Sequence, residues 1–216
     1  MADEGESVKV AVRVRPFNGR EKERDAKCCI RMNDKMTTIT NPATQIAKNF
    51  TFDYSYWSTD GEETLPDGYN KSQGAGKGLD GATYADQQQV FDELGQGVLN
   101  NAYGGFNSCL FAYGQTGAGK SYSMVGYGTN KGGSCGYPNS CLFACGQTGA
   151  GKSYSIMVDY GTTEGIVPIV CDELFKSIEE KKSDLLQFQV TIQMLEIYNE
   201  QVRDLFSKTA PAGGLK

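Results

Sequence analysis

Two stretches of this chain carry residue types and spacing that do chemistry. Gly114-Gln115-Thr116-Gly117-Ala118-Gly119-Lys120-Ser121 fits the pattern G-x-x-x-x-G-K-[ST] in full. Gly146-Gln147-Thr148-Gly149-Ala150-Gly151-Lys152-Ser153 repeats it residue for residue. Glycines in such a loop let backbone N–H groups converge on phosphate oxygens without Cβ clashes. The helix that follows adds its positive end. The lysine meets the β and γ phosphates, and the serine hydroxyl (Ser121 in the first copy) is a Mg²⁺ ligand carried with the nucleotide. One loop of this kind makes a chain a nucleoside triphosphate binder, with ATP and Mg²⁺ as the implied ligands. Two copies pose the question of which one works.

Such a loop functions only between a buried strand and a helix. Cys109 to Tyr113 (CLFAY) is a short apolar run of the kind a buried strand shows, and a helix should begin at Ser121. Val8 to Val14 alternates apolar and charged residues and predicts a strand that Pro16 ends. Asn18 to Lys27 predicts a charged loop or short helix. Cys28 to Met32, Thr37 to Thr40 and Asn49 to Tyr56 predict short strands in a small antiparallel lobe. Ser58 to Gly81 predicts a mobile loop. Its Gly74-Ala75-Gly76-Lys77 resembles half a phosphate loop, but no apolar strand precedes it and no Ser or Thr follows the lysine, so it reads as linker. Tyr84 to Tyr103 places Val90, Phe91, Leu94, Val98, Leu99 and Ala102 at helical spacing. Gly165 to Ile178 predicts a second helix, with Pro168 tolerated in its first turn. Gln187 to Ile197 alternates as a strand does, and Asn199 to Phe206 predicts a turn and short helix.

The bulk numbers narrow the function classes. The 216 residues fit one domain or part of a larger one, and 39% hydrophobic content can support a core. Net charge is −5 and no basic stripe appears, which argues against nucleic acid as a partner. No apolar run reaches the length of a membrane-spanning helix. Seven cysteines occur without a signal peptide, which predicts reduced thiols in the cytosol. Cys141 and Cys145 do not make a zinc site, which needs four convergent ligands, and the chain has no histidine.

The duplication extends beyond the loop. NSCLFAYGQTGAGKSYS (107–123) aligns with NSCLFACGQTGAGKSYS (139–155), differing only at Tyr113 against Cys145. The match continues loosely through YGTNKG (127–132) and YGTTEG (160–165), so the repeated unit is 107–132 against 139–165. A strand, a loop and the first turns of a helix cannot bury a face alone, so these are not two nucleotide domains. The simplest account is a short coding segment included twice. The first copy continues an intact upstream helix and keeps Tyr113. Using it makes the second copy an insertion in a surface loop, at a closure cost that grows only logarithmically with length. Local context therefore favours the first copy. Either choice leaves one CLFA run in need of cover.

Three segments in this order, VKVAVRVRPFNGRE, NSCLFAYGQTGAGKSYSM and MLEIYNEQVRDLF, resemble the N-terminal part of a kinesin motor domain. FTFDYSYWS and DQQQVFDELG look most like the kinesin-3 class. The resemblance implies an α/β fold, a partial P-loop NTPase of kinesin type. Its central, mostly parallel sheet would be flanked by helices, with a small antiparallel lobe, all in one partial motor domain over 1–216. It implies an ATP-binding, microtubule-based motor, with microtubules as partner and the cytoskeleton as location. Arg13, Arg15 and Pro16 match the family's segment beside the adenine. Glu196, Tyr198, Asn199 and Glu200 match a family signature that also reads as a strand end and turn fixing the sheet edge. The family further uses a serine-rich switch and a D-x-x-G switch around the γ phosphate. Neither follows Phe206, and the microtubule-facing helices are missing as well. The resemblance therefore implies little hydrolysis by these residues alone. The alternative is a non-enzymatic fragment that binds nucleotide weakly or not at all. A small-molecule kinase ranks last, for want of a lid or substrate base.

Overall fold

The computed structural model describes residues 8–66, 69–127, 140–144, 163–183, 185–198 and 200–206. The valine-rich start forms β1 (Ala11–Val14), which pairs in parallel with β5 (Tyr54–Trp57). Between them lie α1 (Gly19–Glu23) and the antiparallel lobe of β2 (Ile30–Asn33), β3 (Met36–Thr40) and β4 (Ala47–Thr51). The lobe forms, but the strand expected over 49–56 is split: β4 stays in the lobe and β5 leaves it to pair with β1. α1 starts at a capping box in which Asn18 and Glu21 satisfy each other's backbone N–H groups.

Segment 58–81, expected as a loop without regular elements, contains a hairpin of β6 (Glu62–Thr64) and β7 (Asn70–Ser72) and a 3₁₀ turn at Leu79–Gly81. Asp60 Oδ1 holds it to the body by accepting from Trp57 Nε1 at 2.8 Å and from the Leu79 N–H at 2.9 Å. Arg31 pairs with Asp80 from the lobe side. Gly76 donates its N–H to Thr83 Oγ1 at 3.2 Å, in a turn rather than a strand–loop–helix.

The long helical stretch forms as α2 (Gln87–Val90), a π turn (Phe91–Gly95) and α3 (Gln96–Tyr103). β8 (Ser108–Ala112) and α4 (Lys120–Met124) follow on either side of the phosphate loop. α5 (Ile166–Lys181) carries Pro168 in its first turn, where the missing N–H costs no helix bond. The core lies where these elements meet: Tyr56 of β5, Val90 and Leu99 of the helices, Met124 of α4, and Ile166, Val170 and Leu174 of α5. The fold is α/β, with parallel strands against helices. Among the described residues the parallel ladder occurs as two pairs rather than one continuous sheet.

The second pair answers where the surplus apolar run goes. β10 (Ser140–Ala144) lies parallel to β8 in the register of the repeat itself, Cys141 opposite Cys109 and Phe143 opposite Phe111. The duplicated strand is covered by its own template. The excursion that contains it leaves and returns at one point. β9 (Gly126–Tyr127) pairs antiparallel with β11 (Thr163–Glu164), and the Gly165 N–H reaches the Val125 carbonyl at 3.1 Å.

Three further expectations change. The strand expected over 187–197 is confined to β12 (Leu195–Tyr198), and the alternation before it pairs with nothing regular among the described residues. The helix expected in 199–206 is instead β13 (Gln201–Asp204), which pairs antiparallel with β12. The chain reverses with Glu200 at φ 62 before a helix can start. Leu195 and Ile197 on that hairpin are exposed, as is Phe111 on the outer face of β8. Finally, Cys171 is disulfide-bonded, so the expectation of reduced thiols does not hold there, while Cys28, Cys29 and Cys109 are free.

Candidate nucleotide site

The loop 114–119 runs from the end of β8 to the start of α4. Gly119 is the N-cap of α4 at φ +93, ψ 13, a left-handed conformation that a Cβ would strain, so glycine is required there. Lys120 is the first helical residue and only 8% exposed. Its Nζ donates to the carbonyls of Gly114 and Gln115, both at 2.8 Å, so the ammonium lies inside the curve of the loop. Ser121 follows in the first turn, half-buried. Cation, serine hydroxyl and loop backbone thus converge at one helix start. The second copy, Gly146 to Ser153 with Lys152, lies outside the described residues.

Arg15 leaves the end of β1 and donates from Nε to the Gly117 carbonyl at 2.5 Å. Its remaining nitrogens bond the Pro16 carbonyl at 2.7 Å and both oxygens of Glu21 at 2.7 and 2.8 Å. That hydrogen bond from Arg15, followed by the Asn18 backbone N–H, holds the Glu21 carboxyl down to about 2. A chain of contacts therefore runs from α1 through Arg15 to the phosphate loop. Pro16 is exposed beside it.

Arg13 points the other way, behind α4. Nε donates to Ser58 Oγ at 2.9 Å, Nη2 to the Ala85 carbonyl at 3.2 Å, and Nη1 to Ser123 Oγ at 3.0 Å and to Gln87 Oε1. Its guanidinium also lies 5.3 Å from the Tyr122 ring centroid. Burial pulls its pKa below the usual arginine value, against the pull of neighbouring Tyr122, yet arginine stays cationic. Glu196 stands half-buried on β12 and Glu200 in the turn after it; the side chain of Tyr198, and Asn199 altogether, lie outside the described residues.

Motif spacing does not single out Gln87, Ser123 or Glu21. One signal for Gln87 was present: it shares the helical stripe of Val90, Phe91 and Leu94, a lone polar residue on an apolar face. The Glu21 signal was the Asn-x-x-Glu spacing of a capping box.

A family model described as "Kinesin motor domain" matches residues 13–136 and 135–215. The chain belongs to the kinesin motor domain family. The two matched stretches meet between the repeats, so each holds one copy of the phosphate loop. The chain is 43% identical over 213 residues to Kinesin-like protein KIF28 of Rattus norvegicus, covering 98% of this chain and 17% of that protein. It is 39% identical over 205 residues to Kinesin-like protein KIF1A of Rattus norvegicus, covering 94% of this chain and 9% of that protein. Among solved structures, KIF14 (391–755) with ADP in complex with a microtubule superposes with a TM-score of 0.61 at 31% identity, over 97% of this chain and 44% of that one. A KIF14 dimer (391–772) with AMP-PNP on a microtubule gives 0.66 at 30% identity, over 95% and 42%. The chain thus spans a minor part of each of these proteins. Among the described residues, no helix is long and apolar enough to cross a membrane.

Proposed function

We propose that this chain binds Mg·ATP in the loop 114–121 and serves as the nucleotide-binding part of a kinesin-3-like, microtubule-based motor. The observation that carries this is Lys120: a buried ammonium at a helix start, inside a glycine loop whose N-cap is left-handed. The residues fit the ligand. Lys120 supplies the cation for the β and γ phosphates, the loop backbone supplies N–H donors, and Ser121 supplies the hydroxyl that would hold Mg²⁺. The metal, when bound, neutralises charge on the β and γ oxygens. Arg15 keeps Gly117 in place from outside the loop, with Pro16 beside it. Neighbours solved with ADP and AMP-PNP on microtubules support both the ligand class and the partner. Association with the microtubule cytoskeleton follows from that partner.

Lys120→Ala and Lys152→Ala, made separately, test the assignment. Equilibrium titration with Mg·ATP should show binding lost in Lys120→Ala and kept in Lys152→Ala. Loss only in Lys152→Ala would transfer the role to residues 146–153. Microtubule-stimulated phosphate release measures the coupled activity.

A further inference from the structure

Gln87 is 0% exposed at the start of α2, on a stripe otherwise apolar. A buried side-chain amide is costly unless both of its ends are bonded. Both are, and to different elements. Oε1 accepts from Arg13 of β1, and Nε2 donates to the Tyr122 carbonyl of α4 at 2.6 Å. Arg13 in turn donates to Ser123 of α4 at 3.0 Å. The five-residue helix that begins with Lys120 and Ser121 is therefore held at its far end by two polar residues, neither of them on the loop. Among the described residues the side-chain and backbone acceptors of Arg13 are neutral, and the nearby Asp86 carboxylate acts on it only through space.

We propose that Arg13 and Gln87 are positioning residues for phosphate binding. They fix the register of α4 on the core and so set where Lys120 and Ser121 stand. This rests on the assignment of nucleotide to the loop 114–121. It differs from placing Arg13 against the base, because a device acting through α4 serves the phosphates whatever is attached to them.

The discriminating pair of ligands is Mg·ATP and Mg·tripolyphosphate, which keeps the phosphates and has no base. Each is titrated into the purified 216-residue chain, the latter by competition with a fluorescent ATP analogue. Gln87→Met keeps length and loses both bonds; it should weaken both ligands by the same factor, about tenfold. Ser123→Ala removes one acceptor and should weaken both equally, by about threefold. A folded Gln87→Met with unchanged affinities overturns the proposal, and so does a loss confined to ATP, which would put the pair at the base. If Gln87→Met does not fold, as judged by circular dichroism, Ser123→Ala decides by the same two criteria. Lys120→Ala separates the two levels. If it leaves both ligands bound, the nucleotide assignment falls and takes this proposal with it. If it abolishes binding while Gln87→Met and Ser123→Ala change nothing, only this proposal falls.

Discussion

Glu21 carries no catalytic chemistry, yet it anchors the arginine that holds the phosphate loop from outside. Its carboxyl is held at about 2 against an ordinary 4.5, first by Arg15 and then by the Asn18 N–H. A depressed folded value means the carboxylate form is the stabilising one. Its contribution is complete above pH 4.5 and is lost as pH falls from there toward about 2. Glu21→Gln should therefore melt below wild type at pH 7, with the gap narrowing as pH drops below 4.5. Thermal melts at stepped pH measure this, and a gap that stays constant down to about pH 3 would contradict it. At this scale the phosphate loop was legible, since its chemistry demands glycines, lysine and serine at set spacing. The motif singled out Arg13, but not the partners it has behind α4. Gln87 and Ser123 are 36 residues apart in sequence (123 − 87), and only tertiary packing brings both to Arg13.

Elements were legible where hydrophobic period and burial agree. The stripe Val90, Phe91, Leu94, Val98, Leu99 and the stripe Ile166, Val167, Val170, Leu174 are both buried or half-buried, as their spacing predicts. Pattern fails at 187–206, where alternation without a partner strand does not make a strand, and where a polar run pairs across a tight turn instead of coiling. The junction before α5 shows a constraint that no pattern announces. A Cβ on Gly165 would lie 2.5 Å from the Gly126 nitrogen and 2.5 Å from the Met124 carbonyl carbon, both backbone atoms that cannot swing aside. Gly165→Ala should cost about 1–3 kcal/mol, as overpacking of a close contact does. Urea unfolding followed by circular dichroism measures it. A midpoint equal to wild type would show that α5 can lift off the α4 exit freely.

For the whole molecule, the duplication was visible as a repeat, but its accommodation was not. Tyr127 and Thr163 stand paired at the base of the excursion, so a short link can join the ends of α4 and α5 when the residues between them are removed. Deleting 130–162 joins Tyr127-Gly128-Thr129 to Thr163-Glu164-Gly165 and restores a single Tyr-Gly-Thr-Thr-Glu-Gly run. The shortened chain should fold with α5 in place and bind Mg·ATP as tightly as the full one, by the same titration used for Lys120→Ala. Lost binding would mean that the second copy contributes to the site.

The ladder between β8 and β10 also makes the chain's address book ambiguous. Both strands spell Ser-Cys-Leu-Phe-Ala, and the nearest difference, Tyr113 against Cys145, falls where Tyr113 is 86% exposed and packs on almost nothing. Within the strand itself, sequence does not tell one copy from the other. Tether length does not decide either, because a long link placed before the strand in one threading is placed after the helix in the other, and closure cost depends only weakly on length. During folding the second strand can be taken up in place of the first before the threading through residues 108–121 wins, a swap within a single chain that resembles the exchange of elements between protomers. Refolding of the full chain is then expected in two kinetic phases, and of the 130–162 deletion in one.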